Sequence, residues 1–142
     1  YFLQMIKYPD RLSLIFLSIY IVLLLYYSIQ LLVYTDEFAI NNLGSFNHSI
    51  AGLCEIIGII FISLSIGLFL TIIFSPKLQM IIYITVLIMQ IFITLNFWRY
   101  ILTDSPGESD IDTITNNALI FSIMSILLII TIFRLRKYLF YK

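Results

Sequence analysis

The sequence predicts an all-α membrane protein, a four-transmembrane-helix bundle with both termini on the cytoplasmic side. Composition is the first reason. Of 142 residues, 61% are apolar and only 11% charged, and the mean hydropathy is +1.05. A soluble domain is about half apolar and about a quarter charged, and a globule this small leaves much of its surface exposed. The second reason is that four apolar runs reach the ~20 helical residues needed to cross a ~30 Å hydrocarbon core. The third is that threading four spans sorts the charges by sign onto two sides.

The first span runs over about 12–34 and carries no charge. Thr35 to His48 connects it to the second span, about 49–74, whose one charge is Glu55. Ser75-Pro76-Lys77 follows, and so short a link predicts an antiparallel hairpin with the third span, about 78–101. Pro76 suits that turn because the residue before a proline avoids the helical region. The third span holds Arg99 near its end. Thr103-Asp104-Ser105-Pro106-Gly107 is a turn signal, and the fourth span, about 116–133, is uncharged. Lipid leaves no free backbone group satisfied, and no alternating barrel pattern is present, so each span is expected to be helical.

Four crossings put Lys7, Arg11, Lys77, Arg134, Arg136, Lys137 and Lys142 on one side, seven of the eight basic residues. Asp36, Glu37, Asp104, Glu108, Asp110 and Asp112 fall on the other, six of the eight acidic ones. Basic residues beside spans stay cytoplasmic, which predicts cytoplasmic termini and two acidic loops outside. Tyr8, Tyr34, Trp98, Tyr100, Tyr138 and Tyr141 lie at predicted span ends, where amphipathic rings anchor. No cleavable signal peptide is expected, because the first apolar run is too long and no small-residue cleavage site follows it. The expected location is a prokaryotic cytoplasmic membrane or an organelle inner membrane.

Polar residues inside the spans are the candidates for function. Glu55 and Arg99 lie at similar depth in the two hairpin neighbours and are expected to pair, or to share a pocket with Asn96, Tyr100 and His48. Such a pair serves either as a buried bridge or as a site for a ligand, proton or quinone head group. With no further acid, base or nucleophile, it reads more readily as non-catalytic than as an enzyme. Gln79, Tyr83 and Gln90 form a stripe suited to interhelical hydrogen bonds. Gly52, Gly58, Ser63 and Gly67, with Cys54, supply small packing residues that let backbones approach. They place span two at the centre, with bulky spans one and four facing lipid or partners. Asn47-His48-Ser49 matches an N-glycosylation acceptor. One cysteine and one histidine exclude an internal disulfide and a multi-thiolate or His-rich metal site. No basic stripe marks a nucleic-acid partner.

Three features resemble the DoxX-like group of small four-helix membrane proteins. Thr35-Asp36-Glu37-Phe38-Ala39 with Leu43-Gly44 follows the first span, as the family's short segment ending near a Gly does. Gly58 and Gly67 stand in the second span, as in the family's glycine-containing second helix. Arg99 precedes Asp104-Ser105-Pro106-Gly107, similar to a family Arg followed by an Asp/Gly/Pro turn. The family's frequent Glu in the fourth helix has no counterpart here. The resemblance implies the four-helix fold and, as one function, a redox-associated or quinone- or lipid-binding protein using Glu55 and Arg99. The residues themselves point first to a non-catalytic accessory subunit of a larger membrane complex, in contact with lipid and other transmembrane subunits. An oligomeric channel or transporter is the third reading. No cofactor is expected within the chain, although a bound lipid or quinone fits the second reading.

Overall fold

A computed structural model describes residues 8–103 and 110–140, and all the regular structure among them is helical. Lys7, Glu108, Tyr141, Lys142 and the turn at Asp104–Gly107 lie outside the described residues. Five helices follow in order: α1 (Arg11–Leu32), α2 (Thr35–Leu43), α3 (His48–Phe74), α4 (Met80–Leu102) and α5 (Ile111–Phe140). All but α2 are long and apolar enough to cross a membrane.

Local chemistry explains where each helix begins and ends. Asp10 caps α1 from extended backbone and accepts the Ser13 N–H at 3.1 Å, satisfying a donor that a helix start leaves free. The connection expected between the first two spans folds as α2. Asp36 and Glu37 in its first turn complement the helix dipole. Gly44 ends it in the left-handed region, φ 76°, and donates its N–H to Ile40 O, the backbone state a glycine adopts at least cost. Asn47 then caps α3, accepting the Ile50 N–H at 2.9 Å, so the Asn of the predicted glycosylation motif is a helix cap here.

α3 stops at Phe74, ahead of the buried Pro76. The turn places Ser75 and Leu78 at positive φ, which non-glycine residues rarely adopt. A bond from Leu78 N–H to Tyr138 O at 3.0 Å holds the turn against α5. Where the sequence suggests a span over 116–133, α5 runs from Ile111 to Phe140, about 45 Å at 1.5 Å per residue. Asp112 at its start and Lys137 in its last turn favour this extension through the dipole.

Packing order differs from chain order. α1 lies along α3, α4 lies along α5, and α1 and α5 meet across the middle. The hairpin neighbours α3 and α4 share only a narrow contact. The buried centre therefore belongs to the first and last long helices, through Leu17, Tyr20 and Leu24 of α1 and Met124, Leu128 and Leu135 of α5. This corrects the expectation that span two is central and spans one and four peripheral. Small residues mark a close approach to one neighbour, whereas the centre is set by the large side chains that fill it. At Gly58 a Cβ would stand 2.7 Å from Leu32 Cγ and 3.1 Å from Leu31 Cβ, and Ser28 Oγ donates to Gly58 O at 2.9 Å. The glycine thus seats α1 on α3.

Candidate functional site

Towards the end that carries α2, all five helices surround one partly open cavity of about 230 Å³. α1 contributes Tyr27 and Leu31, α2 Phe38 and Leu43, α3 Cys54, Ile57 and Phe61, α4 Ile93 and Phe97, and α5 Ile114 and Phe121. The wall is nearly all carbon. Its polar edge is a relay in which Tyr27 OH donates to Asn117 Oδ1 at 2.9 Å and Asn117 Nδ2 donates to Asn42 Oδ1 at 2.8 Å. Tyr27 and Phe97 both stack near Phe121, with centroids 4.7 and 5.3 Å away.

Two further polar clusters hold the helices. At mid-bundle, Tyr20 OH donates to Gln90 Oε1 at 2.9 Å and Gln90 Nε2 donates to Phe121 O at 3.0 Å. Both side chains are fully buried, and together they tie α1, α4 and α5. Thr94 Oγ1 and Ser125 Oγ converge on the same carbonyl. Near the Ser75–Gln79 turn, the Tyr83 hydroxyl lies 2.8 Å from Thr71 Oγ1 and 3.2 Å from Tyr8 OH. Of the stripe Gln79, Tyr83 and Gln90, the last two point inward and bond inside one copy, while Gln79 is exposed. A permeation path would need those groups free.

The structure does not gather the predicted polar set. Arg99 is exposed, donates to Asn96 Oδ1 at 3.1 Å and lies 4.8 Å over the Tyr100 ring. Glu55 and His48 are also exposed. Among the described residues the ion pair found joins Asp10 to Arg134, and none links Glu55 to Arg99. Helical phase is the reason. Gly67 and Thr71 face α4, through Ile82 and Tyr83. Glu55 precedes Thr71 by sixteen residues, which turns it about 160° away at 3.6 residues per turn. Equal depth does not bring two side chains onto facing sides.

The small residues divide in role. Gly58 is buried against α1. At Gly67 a Cβ would meet only the tip of Ile82, 2.6 Å away. Gly52 has open space beside it. Ser63 is exposed and turns back to Ile59 O at 2.7 Å. Cys54 is a free, buried thiol on the cavity wall.

Sequence reasoning missed the Asp10–Arg134 pair, whose Nε–Oδ2 and Nη2–Oδ1 distances are 2.6 and 2.9 Å. Asp10 before Arg11 and Ser13 carries an N-cap signal, but its partner lies 124 positions away. It also missed Tyr20 and Tyr27, mid-span tyrosines seven residues apart and so on one face of α1.

Hydrogen bonds from Arg134, then from Ser13, hold the Asp10 carboxyl well below the usual carboxylate range. A lowered folded value means that the contribution is present above the unfolded pKa of about 3.9 and is lost as pH falls through the folded one. Wild-type resistance to denaturing detergent is therefore expected to fall as pH drops below about 4, and Asp10→Asn is expected to remove that part of the dependence. Unfolding titrations at stepped pH check it, and equal pH slopes for the two proteins would contradict it.

Compared with protein-family models, curated proteins and solved structures, the chain matches none, so the likeness to the DoxX-like group rests on its three sequence motifs alone.

Proposed function

We propose that this protein is a non-catalytic subunit that packs into a larger membrane assembly, with both termini on the cytoplasmic face of a prokaryotic cytoplasmic membrane or an organelle inner membrane. The observation that carries the reading is Glu55. Its carboxylate lies on the outside of α3, about 10 Å along the helix from His48 at 1.5 Å per residue. No described residue offers it an ion pair or hydrogen bond. A lipid-facing charge costs on the order of 3 kcal/mol at mid-membrane and marks a pairing site by default. A cationic or hydrogen-bonding side chain on a neighbouring subunit's helix would complement it. The separation of basic from acidic residues supports the orientation. The large apolar exterior of the chain suits a place beside other transmembrane helices in such an assembly.

Purification of the tagged chain in a gentle detergent, with and without Glu55→Gln, tests the reading. The wild type is expected to emerge with a stoichiometric membrane partner. Glu55→Gln is expected to weaken that association about tenfold, or ~1.4 kcal/mol. The isolated chain's own stability should change by less than about 0.5 kcal/mol, because no described residue forms an ion pair or hydrogen bond with the exposed Glu55. A wild-type chain that emerges alone, or a partner that ignores Glu55→Gln, would sink the proposal.

A further inference from the structure

We propose that the five-helix cavity at the α2 end of the bundle holds one hydrocarbon chain of a bilayer lipid, with the headgroup outside beside α2. This inference is independent of the subunit reading and of Glu55, which does not line the cavity.

The first argument is what the cavity excludes. A trapped water needs two to four polar partners. Tyr27 and Asn117 are already bonded in their relay, and among the described residues no buried side-chain nitrogen or oxygen lacks a partner. Asn42, the third polar lining residue, accepts from Asn117 and donates to Phe38 O, and the remaining wall is Leu, Ile and Phe carbon with the Cys54 thiol. An apolar cavity of about 150 Å³ stays dry and takes up benzene, and this one, at about 230 Å³, admits a longer hydrocarbon.

The second argument is access. α3 and α4 are tied near their connecting turn, at Thr71–Tyr83 and Gly67–Ile82. Farther along, Ile57 and Phe61 line one side of the cavity and Ile93 and Phe97 another. The outer faces of the same helices are apolar and exposed, as at Ile56, Ile60 and Phe92. The narrow α3–α4 contact leaves this seam as the route by which surrounding hydrocarbon would reach the cavity, and in a bilayer that hydrocarbon is lipid chains.

The third argument is charge. α2 roofs the cavity with Phe38 and Leu43 and carries Asp36 and Glu37 in its first turn. Arg99 stands in the last turn of α4. These three residues lie outside the cavity lining, so charges of both signs stand at this end of the bundle, as a zwitterionic headgroup seated outside requires.

Native mass spectrometry of the full chain, released from mild-detergent micelles containing dioleoyl phosphatidylcholine, tests the assignment. The wild type is expected to keep one phospholipid after collisions strip the rest. Filling the cavity with Cys54→Phe on α3 or Ile93→Trp on α4 should cut the retained fraction about tenfold or more. Ile129→Trp, on the exposed face of α5, should leave it unchanged. Should the larger fillers prevent folding, the graded series Cys54→Val and Cys54→Leu should lower retention in order of volume. A wild type that keeps no lipid overturns the proposal. So do filled variants that keep as much as the wild type, or equal loss in all variants including Ile129→Trp.

Discussion

Gln90→Leu is expected to destabilise the bundle by about 2–4 kcal/mol, although it preserves volume and raises hydrophobicity. Gln90 is fully buried on α4, where it accepts from Tyr20 OH and donates to Phe121 O. Within a membrane each such bond is worth about 1 kcal/mol or less, and two lost bonds account for only part of the effect. The rest comes from what is stranded. Phe121 O keeps Thr94 and Ser125 as donors, but the buried Tyr20 hydroxyl loses its partner, at about 1–3 kcal/mol. Tyr20→Phe alone should therefore cost less than Gln90→Leu. The double variant should recover most of the loss, since removing both partners leaves nothing stranded. Steric-trap or denaturing-detergent unfolding of the four proteins gives the cycle. Strict additivity would show that the hydroxyl finds another partner and that this account of the mid-bundle tie is wrong.

Gly58→Leu is expected to be at least as damaging, about 3 kcal/mol or more, and Gly67→Ala close to neutral. The difference is what stands opposite. At Gly58 a new Cβ meets Leu32 Cγ at 2.7 Å and Leu31 Cβ at 3.1 Å. The second atom is fixed to backbone, so α1 itself must move. Moving it also breaks the Ser28–Gly58 bond and opens the α1–α3 seam. At Gly67 only the flexible end of Ile82 is in the way, and alanine's better helix propensity, about 1 kcal/mol over glycine, offsets the small rearrangement. The two thermal shifts, measured in one detergent, check the contrast. Equal losses at both glycines would refute the assignment of Gly58 to a backbone-tight seam.

These two sites show what was readable in the sequence. Hydropathy and charge locate four long helices because both are properties of contiguous segments. They underestimate α5 because a hydropathy window stops at Arg134, whereas helical hydrogen bonding continues and gains from cations near its end. Packing order is a different kind of information. Gly58 announces a close neighbour without saying which one. The seats of Tyr20, Leu17 and Leu128 at the centre depend on how α1 meets α5, a pairing across more than a hundred residues. The expected Glu55–Arg99 pocket failed for the same reason, because depth is legible from position while facing requires rotation about two axes. The cavity had no local signature at all, being the space five helices leave.

The pairing of α1 with α5 has a consequence for biogenesis. A ribosome delivers α1 before α5, so the seam at the heart of the bundle cannot close until α5 has emerged. Until then Leu17, Leu24 and Tyr27 are covered by lipid, by α3 or by an insertion chaperone. The Asp10–Arg134 clasp, joining the two ends of the described chain, forms only after α5 arrives. A nascent chain arrested before α5 would be inserted yet unassembled, and quality control that reads an open α1 face would have a simple criterion for incomplete molecules.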